Sequence, residues 1–334
     1  MPKVSIVLPN YNYARYLDER IQSLLNQTYS DFELIILDDA STDSSIEVIE
    51  KYTEDPRVKT KFYSENSGLP YKRWNDGAEL AQGEYLLIAG ADDSCHPTLL
   101  EKLVEKLDAY PSVGLAFSQS LEVDSNGTLI GSMIRMTDGF IENKERWRTD
   151  FVDQGKIELK NLLLVNTIPN ASCVLMRRDI FFRVGKFDEK FRLSADWVLW
   201  GKMLTISDIA FISEPLNYFR THPQSVRNRV KIEIAIEENC LAIETINRNL
   251  NEFLQHSGCS ERVDLANHLW YRRAKYYLNH TWNIKEAIPI SRLILQWQFY
   301  TWQERLYFLI RFWIKSTSFL ISPTCNMPIN IKPD

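Results

Sequence analysis

Two adjacent aspartates are the most informative chemical feature of this 334-residue chain. Asp92 and Asp93 close the segment 84–93, whose apolar run is typical of a buried strand. A parallel strand leaves its last residues at the carboxyl edge of the sheet, where open α/β folds bind their ligands. Mg²⁺ commonly takes one or two carboxylates together with substrate phosphates. The pair therefore indicates a cation site, and the alternative is a solvated turn.

Two earlier apolar segments also end in polar residues. Residues 4–9 run into the polar segment 10–12, and residues 33–37 run into the acidic cluster 38–43. Helix-like segments follow both, so we predict parallel βαβ units whose right-handed crossovers bring the three strand ends to one edge. A carboxylate at Asp39 could accept an N–H from a nucleobase, whereas the serine and aspartate that follow it could equally cap a helix.

The order and spacing of these and later motifs resemble those of inverting family 2 glycosyltransferases. The matching motifs are 4–12, Asp38-Asp39-Ala-Ser41-Thr-Asp43, Asn66-Ser-Gly68, Arg73-Trp-Asn75, Gly83-Glu-Tyr, Ala91-Asp92-Asp93, Asn170-Ala-Ser172, Arg177-Arg178, Gly185-Lys-Phe-Asp188-Glu189, Ser194-Ala-Asp196-Trp197 and Tyr218-Phe-Arg220-Thr-His222. The resemblance covers roughly residues 3–225. It implies an α/β protein of the GT-A fold, in which helices flank a Rossmann-like, mostly parallel nucleotide-binding sheet. It departs from the family at Gly90, where many relatives carry a further acidic residue.

The resemblance implies a site for a nucleoside-diphosphate sugar, with a preference for uridine. The residues that it places around the donor are Pro9, Asn10, Tyr11, Asn12, Asp39, Asn66, Gly68, Arg73, Asn75, Ala91 and Asp92. It places Asp93 and His222 at a divalent Mn²⁺ or Mg²⁺ ion, with Asp92 reaching the sugar or ribose of the donor, and it leaves open which of the two aspartates binds the metal directly. On the acceptor side it places Asn170, Ser172 and Trp197.

Asp196 is the residue that we expect to act as catalytic base. It precedes an apolar helical run and matches the family's base, although its position alone would also suit a helix N-cap. The alternative for His222 is a surface loop. His96 lies beside the aspartate pair, but soft ligands suit Zn²⁺ better than a phosphate-bound Mg²⁺ or Mn²⁺, and we do not expect it to bind the metal.

The expected reaction moves a sugar from a UDP-sugar to a hydroxyl of a glycan or lipid-linked glycan with inversion. The resemblance suggests cell-surface polysaccharide or lipopolysaccharide assembly as the setting. Two alternatives share the nucleotide-binding sheet: a catalytically silent scaffold that binds nucleotide-sugar, and a nucleotidyltransferase. The chain lacks the early glycine-rich loop that would favour the latter, and no Gly-x-Gly-x-x-Gly follows the first strand as a dinucleotide-dependent dehydrogenase would require.

Composition predicts two structural parts. The chain has 45% hydrophobic residues and a net charge of −5, which fits an enzyme and argues against a general nucleic-acid binder. Residues 1–226 are expected to form the catalytic domain and residues 227–334 a helical extension. The first residues read as a strand rather than a signal peptide, so we expect a cytoplasmic protein. The five cysteines lack zinc-like spacing, and we expect them to be reduced.

The C-terminal part combines basic charge with aromatic residues. Residues 229–254 show helical apolar spacing, and residues 262–315 carry nine Lys or Arg against three Asp or Glu. A helix around 306–321 could lie on the inner face of a membrane, or the tail could instead pack on the catalytic domain or a second subunit. The irregular segment 127–155 is a candidate for shaping the acceptor site.

Overall fold

The computed structural model of the protein describes residues 1–133, 144–168, 170–230 and 232–256. The strands in this part of the chain are β1 (Val4–Asn10), β2 (Phe32–Asp38), β3 (Val58–Phe62), β4 (Tyr85–Ile88), β5 (Ser94–Cys95), β6 (Val113–Val123), β7 (Leu129–Ser132), β8 (Phe151–Asp153), β9 (Val174–Arg177) and β10 (Asp208–Arg220). They form one mixed sheet in the order β3-β2-β1-β4-β9-β6-β10-β5, with β7 beside β6 and β8 beside β10. The sheet is thus the frame on which the polar strand ends are arranged.

Helices follow most of these strands. The described helices are α1 (Ala14–Leu25), α2 (Ser45–Glu50), α3 (Pro70–Leu80), α4 (Leu99–Ala109), α5 (Gly155–Leu164), α6 (Arg178–Arg183), α7 (Ala195–Met203), α8 (Val226–Arg229) and α9 (Ile232–His256). In α1, Leu17, Ile21 and Leu24 recur at helical spacing and are fully buried, so one stripe of this helix faces the core. Pro70 begins α3, where its fixed φ and missing N–H suit the first turn.

Strands β1, β2 and β4 form the parallel centre of the sheet. Their side chains are buried on both faces, as expected for strands covered by helices on both sides. On one face, α3 approaches β1 at Gly77, where an added Cβ would lie 2.2 Å from the Val7 Cγ1 atom. Only a glycine allows this separation, so the sequence fixes how closely α3 packs.

The strand register brings the polar segments to one edge. Asn10, the last residue of β1, lies opposite Asp38, the last residue of β2. Residues 89–93 continue from the end of β4, and β10, which runs parallel to β6, ends at Arg220. The backbone N–H of Arg220 bonds to Asp93, which places the end of β10 at this edge as well. The predicted convergence of strand ends is confirmed.

The predicted α/β fold with a central sheet is confirmed, but the sheet is mixed rather than mostly parallel, because β5, β7, β8 and β9 pair antiparallel with their neighbours. The helix predicted over 229–254 is confirmed as α9. Within the segment 127–155, the structure describes β7, a short 3₁₀ turn over Lys144–Arg148 and β8, and residues 134–143 lie outside the described residues. The part of α9 from Glu238 to His256 belongs to the same compact unit as Met1–Lys231.

Most of the expected C-terminal extension cannot be compared with the structure. The basic region 262–315 lies outside the described residues. So does the helix predicted around 306–321, which overlaps it. Among the described helices, none combines the length and the apolar character needed to cross a membrane.

Candidate active site at the carboxyl edge of the sheet

The loops after β1 and β2 are fixed to one another by short side-chain hydrogen bonds. The Asn10 amide donates to Asp38 Oδ1 over 2.8 Å, and the Ser41 hydroxyl donates to the same oxygen over 2.6 Å. Asn12 and Ala40 adopt the left-handed conformation, with φ of 59° and 60°. Residues other than glycine are held in this region only when surrounding contacts require it, and such strain clusters at functional sites. Asp38 therefore holds the loops after β1 and β2 together at the expected donor pocket.

Further contacts complete this wall of the pocket. The Asn12 side-chain oxygen accepts the Thr42 N–H over 2.7 Å. Pro9 is half-buried within β1, whereas Tyr11 is exposed on the loop that follows. Ala91 is buried directly before the aspartate pair. Tyr11 and Asn12 are therefore the exposed side chains among these expected donor residues.

Asp39 is buried and takes part in a charged network. Its carboxylate accepts the Arg73 Nε–H, and it also accepts the Ser67 hydroxyl over 2.7 Å. The Arg73 guanidinium lies 3.4 Å from the centroid of the Tyr63 ring and donates to Asp76 over 2.7 Å. Arginine suits this role because its planar fork can bond a carboxylate and stack on an aromatic ring at once. Asp39 is thereby held in one orientation at the end of β2.

Asn66 and Gly68 belong to the same corner. The Asn66 amide donates to the backbone carbonyl of Asp39 over 3.1 Å, and its side-chain oxygen accepts the Gly68 N–H over 2.7 Å. Gly68 has a φ of 66°, a conformation that glycine adopts without steric cost. The expected donor residues 39, 66, 68 and 73 are therefore in one continuous network.

The second half of the site surrounds the aspartate pair. His222 is buried, and its Nε2 atom lies 3.0 Å from Asp92 Oδ2. Asp93 is also buried, and its two oxygens accept the Arg220 N–H over 2.9 Å and the Asn170 amide over 3.3 Å. Burial, and next the charge of Asp92, raise the pKa of Asp93 to about 6. Asp92 is the more accessible carboxylate of the two.

Arg220 is a central residue of this half that the sequence-based assignment missed. Its side chain is buried and donates to the Asp92 carbonyl over 2.7 Å and to Glu19 over 2.7 Å. The guanidinium also lies 5.0 Å from the Tyr16 ring centroid. One signal could have identified it, because it stands two residues before His222 in the last matching motif. Its contacts hold β10 and the aspartate pair together.

Two aromatic rings from the start of α1 enclose His222. The ring centroids of Tyr13 and Tyr16 lie 5.7 Å and 4.8 Å from that of the imidazole. Burial, and then the negative charge of Asp92, raise the pKa of the Tyr13 hydroxyl, so it stays protonated at neutral pH. Sequence reasoning did not select either tyrosine, because an aromatic residue at the start of a helix carries no local sign of a partner more than 200 residues away.

Ser172 and Gly90 explain the one departure from the family pattern. The Ser172 hydroxyl accepts the Gly90 N–H over 2.8 Å. A Cβ added at Gly90 would lie 3.1 Å from the Ser172 oxygen and 3.2–3.3 Å from oxygens of Asp93 and Asp92. In this chain, a side chain at position 90 would thus crowd the carboxylates of Asp92 and Asp93.

Asp196 is the second residue of α7, and the alternative reading as its N-cap is wrong. Ser194 occupies the N-cap position, and the N–H groups before the helix are instead bound by Glu238 of α9. Asp196 Oδ1 accepts the Trp197 N–H over 2.7 Å. Burial raises the pKa of Asp196 to about 7, against the effects of the Trp197 N–H and the Arg227 charge, while Glu238 raises it further. A carboxylate with this pKa is suited to exchange protons near neutral pH.

Arg227 lies on the segment of chain between the aspartate pair and the expected base. It belongs to α8, five residues after His222, and its charge acts on Asp196. Tyr71 lies on another side, where its hydroxyl is near the backbone N–H groups of Ala195 and Asp196. The segment after β10 therefore runs from the aspartate pair to the expected base.

Two expected site residues have supporting positions. Asn75 donates to the Phe187 carbonyl over 2.9 Å and accepts the Phe187 N–H over 3.1 Å. Trp197 is buried, and its indole N–H donates to the Leu162 carbonyl over 2.9 Å. Both side chains stabilise the elements around the site and are turned into the protein.

The donor set fits a divalent cation that a substrate helps to bind. In the described part of the chain, no three His, Cys, Asp or Glu side chains converge to hold a metal ion by themselves. Mg²⁺, however, is usually bound through one or two carboxylates, substrate phosphates and water. The partly exposed Asp92 carboxylate and the adjacent His222 imidazole offer such a partial set. The Nδ1 atom of His96 lies 2.9 Å from the Thr98 hydroxyl oxygen.

Comparison with known proteins gives consistent similarities. A sequence model described as Glycosyl transferase family 2 matches residues 5–185. The chain is 34% identical over 329 residues to an uncharacterised glycosyltransferase of Nostoc sp., covering 96% of each protein. The crystal structure of S. aureus TarS 1–349 in complex with UDP-GlcNAc matches with a TM-score of 0.62 and 18% identity, covering 87% of this chain and 79% of TarS 1–349. The mannosyltransferase PcManGT from Pyrobaculum calidifontis, solved with GDP-Man and Mn²⁺, matches with a TM-score of 0.52 and 15% identity over 95% and 87% of the two chains.

Proposed function

Because the chain belongs to glycosyl transferase family 2, we propose that it transfers a sugar from a UDP-sugar to an acceptor hydroxyl with inversion at the anomeric carbon. The observation that carries this proposal is the meeting of two polar networks at one edge of the sheet. One contains Asp39 and Arg73 at the end of β2, and the other contains Asp92, Asp93 and His222 between the ends of β4 and β10. A nucleoside and its diphosphate need contacts of these two kinds.

The first network is suited to the nucleoside. Asp39 is anchored by Arg73 and Ser67, which leaves its carboxylate fixed at the carboxyl edge. A fixed acceptor favours a base that presents an N–H in the right place, such as the N3–H of uracil. Asn10 and Asn12 keep the neighbouring loops in place, so the pocket is formed before the donor binds.

The second network is suited to the diphosphate and a divalent cation. Asp92 and His222 would hold Mn²⁺ or Mg²⁺ with the donor phosphates, and the bound ion would stabilise the charge of the leaving diphosphate as a Lewis acid. Asp93 has its oxygens engaged by Arg220 and Asn170, so we propose that it fixes the geometry of the pair and contributes charge to the metal site.

Asp196 is proposed as the base that accepts the acceptor proton. The hydroxyl is a weak nucleophile at neutral pH, and a carboxylate within hydrogen-bond reach increases its reactivity as the new bond forms. The pKa of Asp196, raised to about 7 by burial, leaves it a stronger base than an ordinary carboxylate and still ionised above neutral pH. Inversion requires only this one group on the acceptor side, because a single displacement forms no covalent intermediate with the enzyme.

The acceptor is proposed to be a glycan or lipid-linked glycan of the cell surface. Asn170 and Ser172 lie beside the aspartate pair and remain the proposed acceptor-side residues, whereas Trp197 would act by positioning its neighbour Asp196. We keep residues 1–226 as the proposed catalytic domain and residues 227–334 as the extension, with Glu238 reaching from the extension to the start of α7.

A panel of nucleotide-sugars tests this function. The intact protein is mixed with Mn²⁺ or Mg²⁺ and with UDP-, GDP-, dTDP- and CMP-sugars, and both the melting temperature and the release of the nucleotide are measured. A ligand that binds only the folded state at about 100 times its Kd stabilises it by about 2.7 kcal/mol. We expect UDP-sugars to raise the melting temperature and to be hydrolysed slowly, with metal required.

An Asp39→Asn variant provides the matched control for this panel. It replaces the proposed base contact with a side chain of the same size, so the preference for UDP should fall while metal binding persists. A preference of the wild-type protein for a purine nucleotide, or no response to any nucleotide-sugar, would contradict the proposed donor. NMR of the anomeric carbon of the product decides between inversion and retention.

A further inference from the structure

A cavity of about 910 Å³ lies at the edge of the sheet opposite the candidate active site. It is lined by the residues just before β4 and β6 and by the start of β10, among them Glu84, Ser112 and Asp208. These are the amino ends of strands whose carboxyl ends carry the catalytic groups. A cavity of this volume is in the range of small-molecule binding sites. A donor bound at the carboxyl edge does not occupy it.

Three of the cations that line this basic cavity have no anionic partner among the described residues. They are Lys156 of α5 and Arg178 and Arg183 of α6, whereas Arg177, also in the lining, pairs with Glu84 over 3.4 Å. Lys156 and Arg183 are exposed. The Nε–H of Arg178 is buried and lacks a hydrogen-bond partner in the described part of the chain. A buried donor without a partner is destabilising and indicates a missing ligand or water.

The position of Arg178 is fixed by the sheet. Its backbone N–H donates to the Glu84 carbonyl over 3.0 Å, and its guanidinium lies 5.1 Å from the Phe182 ring centroid. The side chain is therefore held at the cavity wall by contacts that leave its hydrogen-bonding capacity unused. Guanidinium groups bind phosphate through two parallel hydrogen bonds, which makes arginine the common residue at such sites.

The carboxylates of the cavity do not cancel this charge. Glu84 is bound by Arg177 and Lys3, and Asp208 accepts the Gly155 N–H over 3.2 Å. Asp179 is exposed to solvent. By the same criterion, two carboxylates of the lining, Asp179 and Asp208, have no cationic partner in the described residues, so the three unpaired cations leave an excess of one positive charge.

We propose that the basic cavity is a second binding site, separate from the donor site, for a phosphate-bearing ligand held by Lys156, Arg178 and Arg183. The cavity is much larger than a phosphate ion, so it accommodates the organic part of the ligand as well. The phosphate group belongs either to a soluble phosphorylated compound or to the head group of an anionic lipid. Both sources present the same chemistry to the three cations.

The test uses the intact protein and inorganic pyrophosphate as the soluble probe, measured by isothermal titration calorimetry without divalent metal. We expect saturable binding that excess UDP does not displace. Removal of one charge-assisted contact should weaken binding about tenfold, because such bonds contribute about 1.4 kcal/mol or more. The double variant combines Lys156→Gln with Arg183→Gln and changes only exposed side chains. The triple variant adds Arg178→Met to this pair. Lys51→Gln, an exposed lysine outside the cavity, is the matched control.

Vesicles provide the second arm of the test. Co-sedimentation is measured with phosphatidylcholine vesicles that contain about one-third phosphatidylglycerol and with phosphatidylcholine alone. Reduced pelleting of the double variant, at an unchanged melting temperature, identifies a lipid head group as the source. Pyrophosphate binding with unchanged pelleting identifies a soluble ligand. Three results would overturn the proposal. They are displacement of pyrophosphate by UDP, wild-type affinity for both probes in the double and triple variants, and no binding of the wild-type protein to either probe.

Discussion

Replacement of Asp196 by asparagine separates chemistry from binding. Asparagine keeps the size of the side chain and can still accept the Trp197 N–H, but it is a very poor proton acceptor. Positioned general-base catalysis contributes about 10²–10⁴-fold, so the transfer rate should fall by that factor. Donor and metal binding should persist, because neither proposed contact involves this residue.

The pH dependence gives the prediction a second, independent measure. Since burial raises the pKa of Asp196 to about 7, its base form increases from about one-tenth at pH 6 to about nine-tenths at pH 8. The wild-type transfer rate should therefore rise about tenfold over this interval and then level off. Removal of the neighbouring Glu238 charge should shift the rise to lower pH. In the asparagine variant, the residual rate should lack the rise that has a midpoint near 7.

Stability should change with pH in the opposite direction. The folded-state pKa of Asp196 lies above the ordinary value of about 3.9, so the unfolded chain releases this proton first and wild-type stability falls as pH rises from about 4 to 7. The asparagine variant avoids this penalty. Its melting temperature relative to wild type should be higher at pH 8 than at pH 5, which is a result that a purely catalytic effect would not produce.

The assay combines transfer rate, donor affinity and melting temperature, each measured between about pH 5 and pH 9 on the same preparations. Asp188→Asn is the matched control, because it makes the same chemical change at a half-buried aspartate that pairs with Lys190 over 2.8 Å. Near-normal transfer by the Asp196 variant would refute the assignment. Loss of transfer in the Asp188 control instead would move the base to Asp188.

Three further predictions concern the metal site, helix α9 and the tail. Asp92→Asn should reduce Mn²⁺ affinity more than Asp93→Asn does, because Asp92 has the more accessible oxygens. The affinity is measured by electron paramagnetic resonance, and wild-type affinity in both variants would remove the pair from the metal site. Glu238→Gln should lower the free energy of unfolding by about 1–3 kcal/mol, because the Glu238 carboxylate binds three backbone N–H groups at the start of α7. Denaturant titration measures this, and an unchanged free energy of unfolding would contradict the role. Deletion of residues 297–334 should reduce binding to anionic vesicles in co-sedimentation if the tail lies on a membrane, whereas aggregation of the truncated protein would favour packing or oligomerisation.

Much of the fold could be predicted from local sequence pattern. Apolar runs that end in polar residues, such as those before Asn10, Asp38 and Asp92, alternate with helical segments. Since βαβ units have right-handed crossovers, this alternation is sufficient to place the strand ends at one edge. The resemblance to a family then supplied roles for these residues. The amphipathic helix after residue 229 was equally predictable, because its apolar spacing is a local property.

The supporting contacts of the site could not be predicted in this way. Arg220 bonds Asp93 across 127 positions of the chain, and Glu238 binds the start of α7 across 44 positions. Pairing at such separations depends on the whole packing arrangement, and no periodicity of the sequence records it. The unpaired cations at the opposite edge, among them Arg178, also became visible only when the cavity around them was known.

The sequence by itself determined the order of strands and helices and the types of polar residue at the strand ends, because these depend on side-chain chemistry and short-range spacing. The tertiary structure decided what each polar group contacts and how deeply it is buried. It placed Asp39 against Arg73, Asp92 against His222, and Asp196 in surroundings that raise its pKa to about 7. Charge and proton affinity depend on solvent exclusion and on neighbours brought from distant parts of the chain, so only the folded protein defines them.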